Sequence, residues 1–421
     1  MRLTVFSKIA EINPRVKLQK GNEYPYVEMI EVEPNRRYVY GVQSREYKGG
    51  GTKFIDGDTI FARITPCLEN GKIAQFVNSK QIGFGSTEFF VFRAKPGISD
   101  PNFIYYLSRS DMIKNPAEKS MSGASGRQRA DIKSVINIEV PDFSLSTQCK
   151  IAAILSAYDD LIENNLRRIK ILEEMAQNLY REWFVNFRFP GHENARFVDS
   201  PLGKIPEGWE VSMLGDHLST LESGKRPKGG IQGNCKGIPS VGAENVRKIG
   251  RHNYQSEKYI PKSFYEEMKK GKVKHGDVAL YKDGAYIGRS TYFRDNFPHP
   301  KFCVNEHVFI LRSNGNKLTQ NILYLWLQES STIAYIRSTN ANAAQPGINQ
   351  KGVRGLKIII ASKEIANDFD ELVEPLLALI ISLAKKNDIL RQTRDLLLPK
   401  LISGEVDVSE LDIKVPEEAV S

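Results

Sequence analysis

Two apolar stripes with helical spacing, half a chain apart, most constrain what this sequence can fold into. The first follows an unbroken 4-3-4-3 alternation over Ile151–Trp183, and its one strongly polar member is Asn165. The second repeats the phase 218 residues later over Phe369–Leu401, with Asn387 and Arg394 as its polar members. This is the a/d pattern of a heptad repeat. It predicts two long helices, each of which must bury one face.

The two helices can cover each other if they lie antiparallel about a pseudo-two-fold axis. Full overlap of the stripes then places Asn165 opposite Asn387 and Tyr158 opposite Arg394. A buried asparagine pair lowers stability but fixes register and direction. The sequence therefore predicts an intramolecular antiparallel coiled coil. Two alternatives stay open: each helix could pair with another protein, or the asparagines could lie where the stripes meet solvent.

The rest of the chain repeats at nearly the same distance. Gly57–Ala62 matches Gly276–Tyr281 and Asn102–Tyr106 matches Asn321–Leu325, both 219 residues apart. The run EFFVFR matches EHVFILR after an adjustment of one residue. Matched blocks in the same order indicate a tandem duplication.

The predicted fold class is α+β, as two similar globular units that are each followed by a long helix. Strand candidates such as Ser290–Phe293 and Ile136–Val140 are rich in β-branched or aromatic residues. The acidic C-terminal tail is expected to be extended or poorly ordered. We expect globular units at 1–145 and 208–362, long helices at 146–188 and 363–403, a connector at 189–207 and the tail at 404–421.

Composition and charge favour a nucleic acid partner. A chain of 421 residues is too long for one ordinary core. Its net charge of +9 suits a polyanion, although a merely soluble basic protein has the same balance. The four cysteines form no CxxC pair, and neither a secretory signal nor a membrane-length apolar run is visible. A reducing cytoplasm is the expected location.

The motifs of catalysis are missing. There is no phosphate-binding loop, no dinucleotide fingerprint and no Asn-Pro-Pro-Tyr or Asp-Pro-Pro-Tyr sequence for an adenine methyltransferase. The six histidines show no HExxH or i,i+4 pairing, so no metal site is predicted. Asp58 and Asp277 recur in Gly-Asp dipeptides, where a turn is favoured over a nuclease-like acidic site. We therefore predict no catalytic residues.

DNA-contact candidates come from loops that combine glycine with side chains able to reach phosphates and base edges. For each candidate alone a solvated surface charge is the favoured interpretation, but the set clusters at equivalent places in both units. Two such modules held about 35–50 Å apart by the helices would address DNA sites about one to one and a half turns apart. In the first unit the candidates are Lys48, Arg63, Lys72, Arg127, Gln128 and Arg129. In the second they are Lys225, Arg226, Lys228, Lys282, Arg289, Gln345, Asn349, Gln350, Lys351 and Arg354.

Several segments carry a resemblance to a known family. The first unit contains TPCLENGKIA and GSTEFFVFR, the first helix ends LYREWFVNFRFPG, the second unit opens IPEGWEVSMLGD and the second helix closes LLLPKLISGEVDV. Together they resemble the DNA-specificity subunit of type I restriction–modification systems, over nearly the whole chain. The resemblance implies that the units are target-recognition domains, each of which reads one half of a split, asymmetric DNA target. The helices would also dock two methyltransferase (modification) subunits.

The same resemblance implies that catalysis lies in partner subunits. Modification subunits would methylate adenine N6 with S-adenosylmethionine, and restriction subunits would use ATP and Mg²⁺, so no cofactor is expected in this chain. Target-recognition domains vary within the family, so no base-contact residue carries over by position. A stand-alone DNA methyltransferase or endonuclease is the alternative function, and a coiled-coil scaffold with no nucleic acid role is a third.

Overall fold

The chain divides into two compact units, which we describe separately. The computed structural model describes residues 2–79, 81–124, 126–228, 230, 237–339 and 347–415. Unit 1 comprises Met1–Asn164 and Asn387–Ser421, and unit 2 comprises Asn165–Lys386. Each unit therefore contains an α+β part and one segment of each long helix. Within the described ranges, no helix is both long and apolar enough to cross a membrane.

Unit 1 is built on a mainly antiparallel five-stranded sheet. Its strand order is Ala10–Ile12, Phe89–Ala94, Thr59–Ala62, Ile73–Phe76 and Tyr38–Val39. A four-stranded sheet has the order Gln43–Glu46, Glu23–Val27, Ile82–Gly85 and Thr52–Ile55, and Leu3–Val5 pairs with Glu139–Pro141. The short helices are Phe6–Ile9, Pro101–Arg109, Asp111–Lys119 and Lys133–Ile136. The predicted strand Ile136–Val140 therefore starts too early, because its first residue closes a helical turn.

Unit 2 repeats the central strands of unit 1 in the same order. Its main sheet runs Leu218–Ser223, Val308–Ser313, Asp277–Tyr281 and Ser290–Phe293. Even the register agrees, since Phe90 faces Phe61 in unit 1 and Phe309 faces Leu280 in unit 2, at positions 219 residues apart. Each unit also has one parallel strand pair beside its main sheet, Glu23–Val27 with Ile82–Gly85 and Ile238–Val241 with Cys303–Val304. The predicted tandem duplication is confirmed.

The remaining elements of unit 2 surround this sheet. Lys258–Ile260 joins the parallel pair, Glu210–Met213 pairs with Lys357–Ile360, and Phe197–Ser200 pairs with Gly203–Pro206. The short α-helices are Lys262–Glu267, Gln320–Gln328, Ser330–Ser338 and Gln350–Arg354, and the 3₁₀ turns are His192–Asn194, Leu214–His217, Tyr254–Ser256 and Gly284–Tyr286.

The two heptad stripes form two long helices. The first spans Leu145–Tyr180 and continues into a π-helical turn at Arg181–Val185, and the second spans Lys363–Ile402. All twenty stripe residues are buried or half-buried. The burial confirms that the repeat marks the packed face of each helix.

Within each unit, the two helix segments run antiparallel. In unit 1, Asp159 contacts Arg394, whereas the earlier Lys150 reaches the carbonyl of Ser409, beyond the end of the second helix, with an Nζ–O distance of 2.5 Å. In unit 2, the end of the first helix meets the start of the second. There the rings of Trp183 and Phe184 lie edge-on to Phe369 at centroid distances of 5.6 and 4.9 Å.

The structure adds an ion pair to the predicted register. Arg394 pairs with Asp159, which is 2% exposed and directly follows the half-buried Tyr158, and the carboxylate neutralises the guanidinium charge. Asn165 and Asn387 are 8% and 1% exposed, so the alternative that they lie in solvent is wrong. These two asparagines belong to different units, and their predicted pairing stays a prediction.

The C-terminal tail is also more ordered than expected. The second helix ends at Ile402, and the chain reverses at Gly404, which has a left-handed φ of 72°. The amide of Val406 then donates to the carbonyl of Lys400 at 3.1 Å. After this reversal Val408 is 2% exposed in the core of unit 1, and Ile413 packs against the same core. The expectation of an extended tail is therefore wrong as far as Ile413.

Candidate nucleic-acid interface

In unit 1 the structure brings together two loops that are distant in sequence. The first loop begins at Arg63, directly after strand Thr59–Ala62, and the second ends at Arg129. The amide of Ala130 donates to the carbonyl of Arg63 at 2.8 Å, and the amide of Thr65 donates to the carbonyl of Gln128 at 3.0 Å. Three of the predicted DNA-contact residues, Arg63, Gln128 and Arg129, thus lie side by side.

Glu88 holds the two arginines of this loop pair. Its carboxylate accepts from Arg129 Nη2 at 2.7 Å and from Arg63 Nε at 3.3 Å. Hydrogen bonding from Arg129 lowers the pKa of Glu88, so the carboxylate is ionised at neutral pH. A guanidinium has five N–H donors, and these contacts leave donors on both arginines for phosphate or base oxygens. Glu88 therefore fixes the direction of two cationic side chains and leaves some of their N–H donors available for DNA.

Unit 2 has the same backbone arrangement at equivalent positions. The amide of Lys282 donates to the carbonyl of His307 at 3.1 Å, as the amide of Arg63 donates to the carbonyl of Glu88 at 3.0 Å. The amide of Ile348 donates to the carbonyl of Lys282 at 2.9 Å, as that of Ala130 does to Arg63. Both units therefore present a loop pair on one shared backbone frame.

The side chains on this shared frame differ between the units. His307 stands where unit 1 has Glu88, and its Nδ1 lies 2.7 Å from Asp283 Oδ2. The other ring nitrogen of His307, Nε2, lies 3.2 Å from Glu306 Oε1, and Arg226 Nε contacts the same oxygen at 2.9 Å. A backbone frame that both units share, with different polar groups on it, can present two different hydrogen-bond patterns to DNA.

The other predicted residues of unit 1 differ in how free they are. Arg127 is exposed near the tip of the second loop. Lys48 is exposed in another turn, between strands Gln43–Glu46 and Thr52–Ile55, with its Nζ 3.6 Å from Glu46. The ammonium group of Lys72 donates to the carbonyl of Met29 at 2.6 Å, so this residue is a structural contact.

In unit 2 the predicted residues fall into two groups. Lys225, Lys228, Gln350 and Lys351 are exposed. The others make contacts within the unit. Lys282 and Arg289 lie over the rings of Phe309 and Tyr286 at 5.0 and 3.6 Å. Asn349 caps helix Gln350–Arg354 by accepting from the amide of Gly352 at 2.9 Å, and Arg354 donates to the carbonyl of Gly215 at 3.4 Å. Gln345 lies outside the described residues.

Sequence reasoning missed Glu88 and His307. The sequence criteria favoured cations and amides, whereas these two residues hold neighbouring polar side chains of the loop pairs through hydrogen bonds. A signal was available, because the matched runs EFFVFR and EHVFILR contain both residues at positions 219 apart. A residue that differs between equivalent positions of the two units is a candidate for setting the DNA sequence preference of its unit.

The recurring aspartates have structural roles. Asp58 accepts the amide of Ile55 at 2.8 Å and both nitrogens of the Arg93 fork at 2.8 and 2.7 Å. Asp277 accepts the amide of Lys274 at 2.7 Å and two contacts from Arg312 at 2.5 and 2.8 Å. Both aspartates are 1% exposed. The structure supports the turn interpretation for both Gly-Asp dipeptides.

Comparison with known proteins identifies the family. Residues 8–174 and 206–389 both match the family model described as type I restriction modification DNA specificity domain. The chain belongs to this family. Two matches, one in each half, agree with the duplicated topology of a specificity subunit, and together they cover most of the sequence.

Curated relatives and a solved structure agree with the family match. The chain is 28% identical to the type I restriction enzyme MjaIX specificity subunit of Methanocaldococcus jannaschii over 73% of this chain and 70% of that protein. It is 24% identical to the HindI specificity subunit of Haemophilus influenzae over 91% and 95% of the two chains. The crystal structure of a type I restriction–modification S subunit from M. genitalium has the same fold, with a TM-score of 0.53, 16% identity and coverage of 95% and 96%.

Proposed function

We propose that this chain is the DNA-recognition subunit of a type I restriction–modification complex, and that it reads a bipartite, asymmetric DNA target. The observation that carries the proposal is the pair of equivalent loop frames with different side chains around Glu88 and His307. Together with the family match, this pattern suits a duplicated reader whose two halves prefer different base sequences.

The proposal divides the work between this chain and its partners. This chain supplies the DNA specificity, as its family membership suggests. Two modification subunits and restriction subunits supply the chemistry. S-adenosylmethionine, ATP and Mg²⁺ bind to those partners. Neither buried aspartate of the Gly-Asp dipeptides offers a free carboxylate for hydrolysis, which supports a non-catalytic role.

Base reading and phosphate binding fall to different residues in this proposal. The arginines held by Glu88 are oriented, and oriented guanidinium groups suit bidentate contacts with a base edge. Exposed cations such as Arg127, Lys225 and Lys228 suit phosphates, which attract any nearby positive charge. The first group should set sequence preference and the second should set overall affinity.

The test is to map the methylated adenines made by the complex. The chain is produced with the modification subunits of its own system in a host that lacks adenine methylation, and modified adenines are located by single-molecule sequencing. We expect one motif with two unlike halves, separated by a fixed spacer and methylated in both halves. A palindromic motif, or methylation by the purified chain alone, would contradict the proposal.

Single substitutions then separate the two kinds of contact. Arg127→Ala should weaken DNA binding for all sequences and reduce the salt dependence of binding by about one phosphate contact. Lys133→Ala, which removes an exposed cation of unit 1 outside the predicted loops, is the matched control and should leave both quantities unchanged. Equal effects of the two variants would show that Arg127 is an ordinary surface charge.

A further inference from the structure

Three side chains of unit 2 converge through their metal-ligating atoms. The Nε2 atoms of His252 and His299 each lie 2.5 Å from the same oxygen, Oε1 of Glu257. One ligand atom from each of the three residues lies within 4.8 Å of the other two. In the part of the chain that the structure describes, this is the one group of three or more such residues.

The cluster joins two segments that are distant in sequence. His252 and Glu257 flank the 3₁₀ turn Tyr254–Ser256, whereas His299 lies between strands Ser290–Phe293 and Cys303–Val304. The ring of Tyr254 stands edge-on to both imidazoles, at 4.7 Å from His252 and 5.6 Å from His299. The tertiary fold therefore sets the positions of both imidazoles.

The local hydrogen bonds also hold the cluster in place. The side-chain amide of Asn245 donates to the carbonyl of Asn253 at 2.8 Å and to Ser256 Oγ at 3.2 Å, which fixes the segment between the two ligands. The hydroxyl of Tyr259 donates to the second carboxylate oxygen of Glu257 at 2.7 Å. This contact orients the carboxylate from behind, as outer-shell partners of metal ligands do.

The cluster is enclosed on one side and open on the other. The side chains of His252 and Glu257 are 1% and 4% exposed, whereas that of His299 is 24% exposed. Buried polar groups of this kind need partners, and here both imidazoles share the carboxylate of Glu257. His299 is therefore the most solvent-accessible of the three side chains.

We propose that His252, Glu257 and His299 form a zinc-binding site that fastens the loop before strand Cys303–Val304 to the segment around Tyr254–Ser256. Two imidazole nitrogens and one carboxylate oxygen are a donor set typical of Zn²⁺, with a water molecule as the fourth ligand. Each imidazole ligates zinc through a deprotonated Nε2, so it carries its one proton on Nδ1, and a proton displaced from Nε2 passes to solvent.

Binding requires a small adjustment of the carboxylate. Zinc–nitrogen and zinc–oxygen bonds of about 2.0–2.2 Å place neighbouring ligand atoms of a tetrahedral site about 3.3 Å apart. The present 2.5 Å contacts must therefore lengthen by less than about 1 Å. A rotation of the Glu257 carboxylate about the oxygen that Tyr259 holds would move Oε1 by this amount.

The site fits a structural role for zinc in this chain. Metal binding to preformed ligands adds its free energy to folding, so an ion that joins two loops stabilises the domain that contains them. Unit 2 holds one of the two DNA-reading loop frames, but the ion is not required to touch DNA. The inference is thus independent of the proposed function.

The experiment uses the full chain without an affinity tag. The protein is dialysed against a chelator and then against metal-free buffer, Zn²⁺ is added at graded ratios, and bound metal is measured by mass spectrometry after gel filtration. We expect one zinc per chain and a rise of several degrees in the temperature of thermal unfolding. Co²⁺ should bind in its place and give the visible absorption of a four-coordinate site.

Two variants decide whether these residues are the ligands. His299→Asn removes the most exposed ligand and should abolish stoichiometric zinc, cobalt absorption and the thermal shift. His275→Asn is the matched control, because His275 also lies near one carboxylate, with Nδ1 3.5 Å from Asp295 Oδ1, but is 60% exposed. It should bind zinc like the unmodified chain.

The contrary outcome is equally clear. If the unmodified chain retains no zinc, or if His299→Asn retains as much as the control, the three residues form only a hydrogen-bonded triad. The metal-free unfolding temperature and the circular dichroism of each variant show whether it is folded. A variant that is folded and does not bind zinc supports the proposal, and Glu257→Gln provides a second such variant if His299→Asn does not fold.

Discussion

Asp159 and Arg394 form an ion pair in the core of unit 1, with side chains that are only 2% and 1% exposed. The hydroxyl of Tyr106 donates to the second oxygen of Asp159 at 2.6 Å. Arg394 also donates to Asp395 at 2.9 Å. One charge removed from such a pair leaves the other buried without compensation. The pair therefore fixes how the two helix segments of unit 1 meet, and it makes this packing sensitive to single substitutions.

Arg394→Met should destabilise the protein strongly. Loss of one member of a buried ion pair costs about 3–5 kcal/mol, and we expect an effect of that order on the free energy of unfolding in urea. Lys400→Met is the matched control, since Lys400 lies on the same helix and pairs at 3.0 Å with Glu405 in solvent. The control should cost less than about 1 kcal/mol. Similar losses in the two variants would show that the buried pair has no special role.

The two Gly-Asp aspartates should behave alike although they lie in different units. Asp58→Asn and Asp277→Asn each weaken a fork-like contact, to Arg93 and to Arg312. Hydrogen bonds to charged groups contribute about 1.5–3 kcal/mol, and we expect each variant to lose stability in that range. The methylated DNA motif should stay the same, as determined by sequencing modified adenines. A changed motif, or lost activity at full stability, would point to a functional acid instead.

Asp370 should make unit 2 less stable as the pH rises. Burial raises the pKa of Asp370 to about 6, against the hydrogen bonds from Thr319 and Asn321 that favour its charged form. The folded state therefore binds the proton more tightly than the unfolded state, whose carboxyl has a pKa of about 3.9. The resulting penalty is absent below about pH 4, grows up to about pH 6 and persists above it.

Asp370→Asn should relieve this penalty. The asparagine can still accept the hydrogen bond that Thr319 Oγ1 donates at 2.8 Å, but it carries no charge. We expect the variant to be more stable than the unmodified chain at pH 7–8, by less than about 3 kcal/mol because the site is partly solvated, and equally stable near pH 4. Urea unfolding midpoints across this pH range measure the difference. A gap that stays constant with pH would contradict the assignment to this carboxyl.

The sequence was most informative where a pattern repeats along the chain. The alternation over Ile151–Trp183 predicted a buried helix face because helical periodicity is local. The match of Gly57–Ala62 to Gly276–Tyr281 predicted a shared topology because duplicated segments bury the same positions. Tertiary partners were harder to predict, because the stripe specifies the buried face of the helix but not the charge partner of Arg394, which is Asp159.

The candidate sites were only partly predictable for the same reason. Arg63 and Arg129 were found by composition, but their shared contact Glu88 depends on two loops meeting in space. His252 and His299 are 47 positions apart and have no motif spacing, so their convergence is visible only in the fold. Candidate DNA-binding cations and metal-ligating residues can be chosen from the sequence, whereas the residue that orients them can be identified only from the structure.

The decisive prediction concerns Glu88 and His307, which occupy equivalent positions in the two loop frames. Glu88→Gln removes the charge that holds Arg63 and Arg129, so their guanidinium groups lose a common direction. Sequence preference should then relax in one half of the methylated motif, with a loss of about 1–3 kcal/mol in discrimination per base pair affected. Affinity for non-specific DNA should not fall, because the substitution removes a negative charge near the phosphates.

His307→Gln is the matched experiment in unit 2. It removes the contact to Asp283 on the equivalent frame and should relax only the other half of the motif. Sequencing of methylated adenines from both variants distinguishes the halves directly, and a double variant should relax both. If either substitution changed both halves, or if neither changed the motif while the protein remained folded, the loop frames would not be the readers of the target. If each variant relaxes a different half of the motif, each frame reads its own part of the DNA sequence. The difference between the frames is then the polar group that each carries at the shared backbone position.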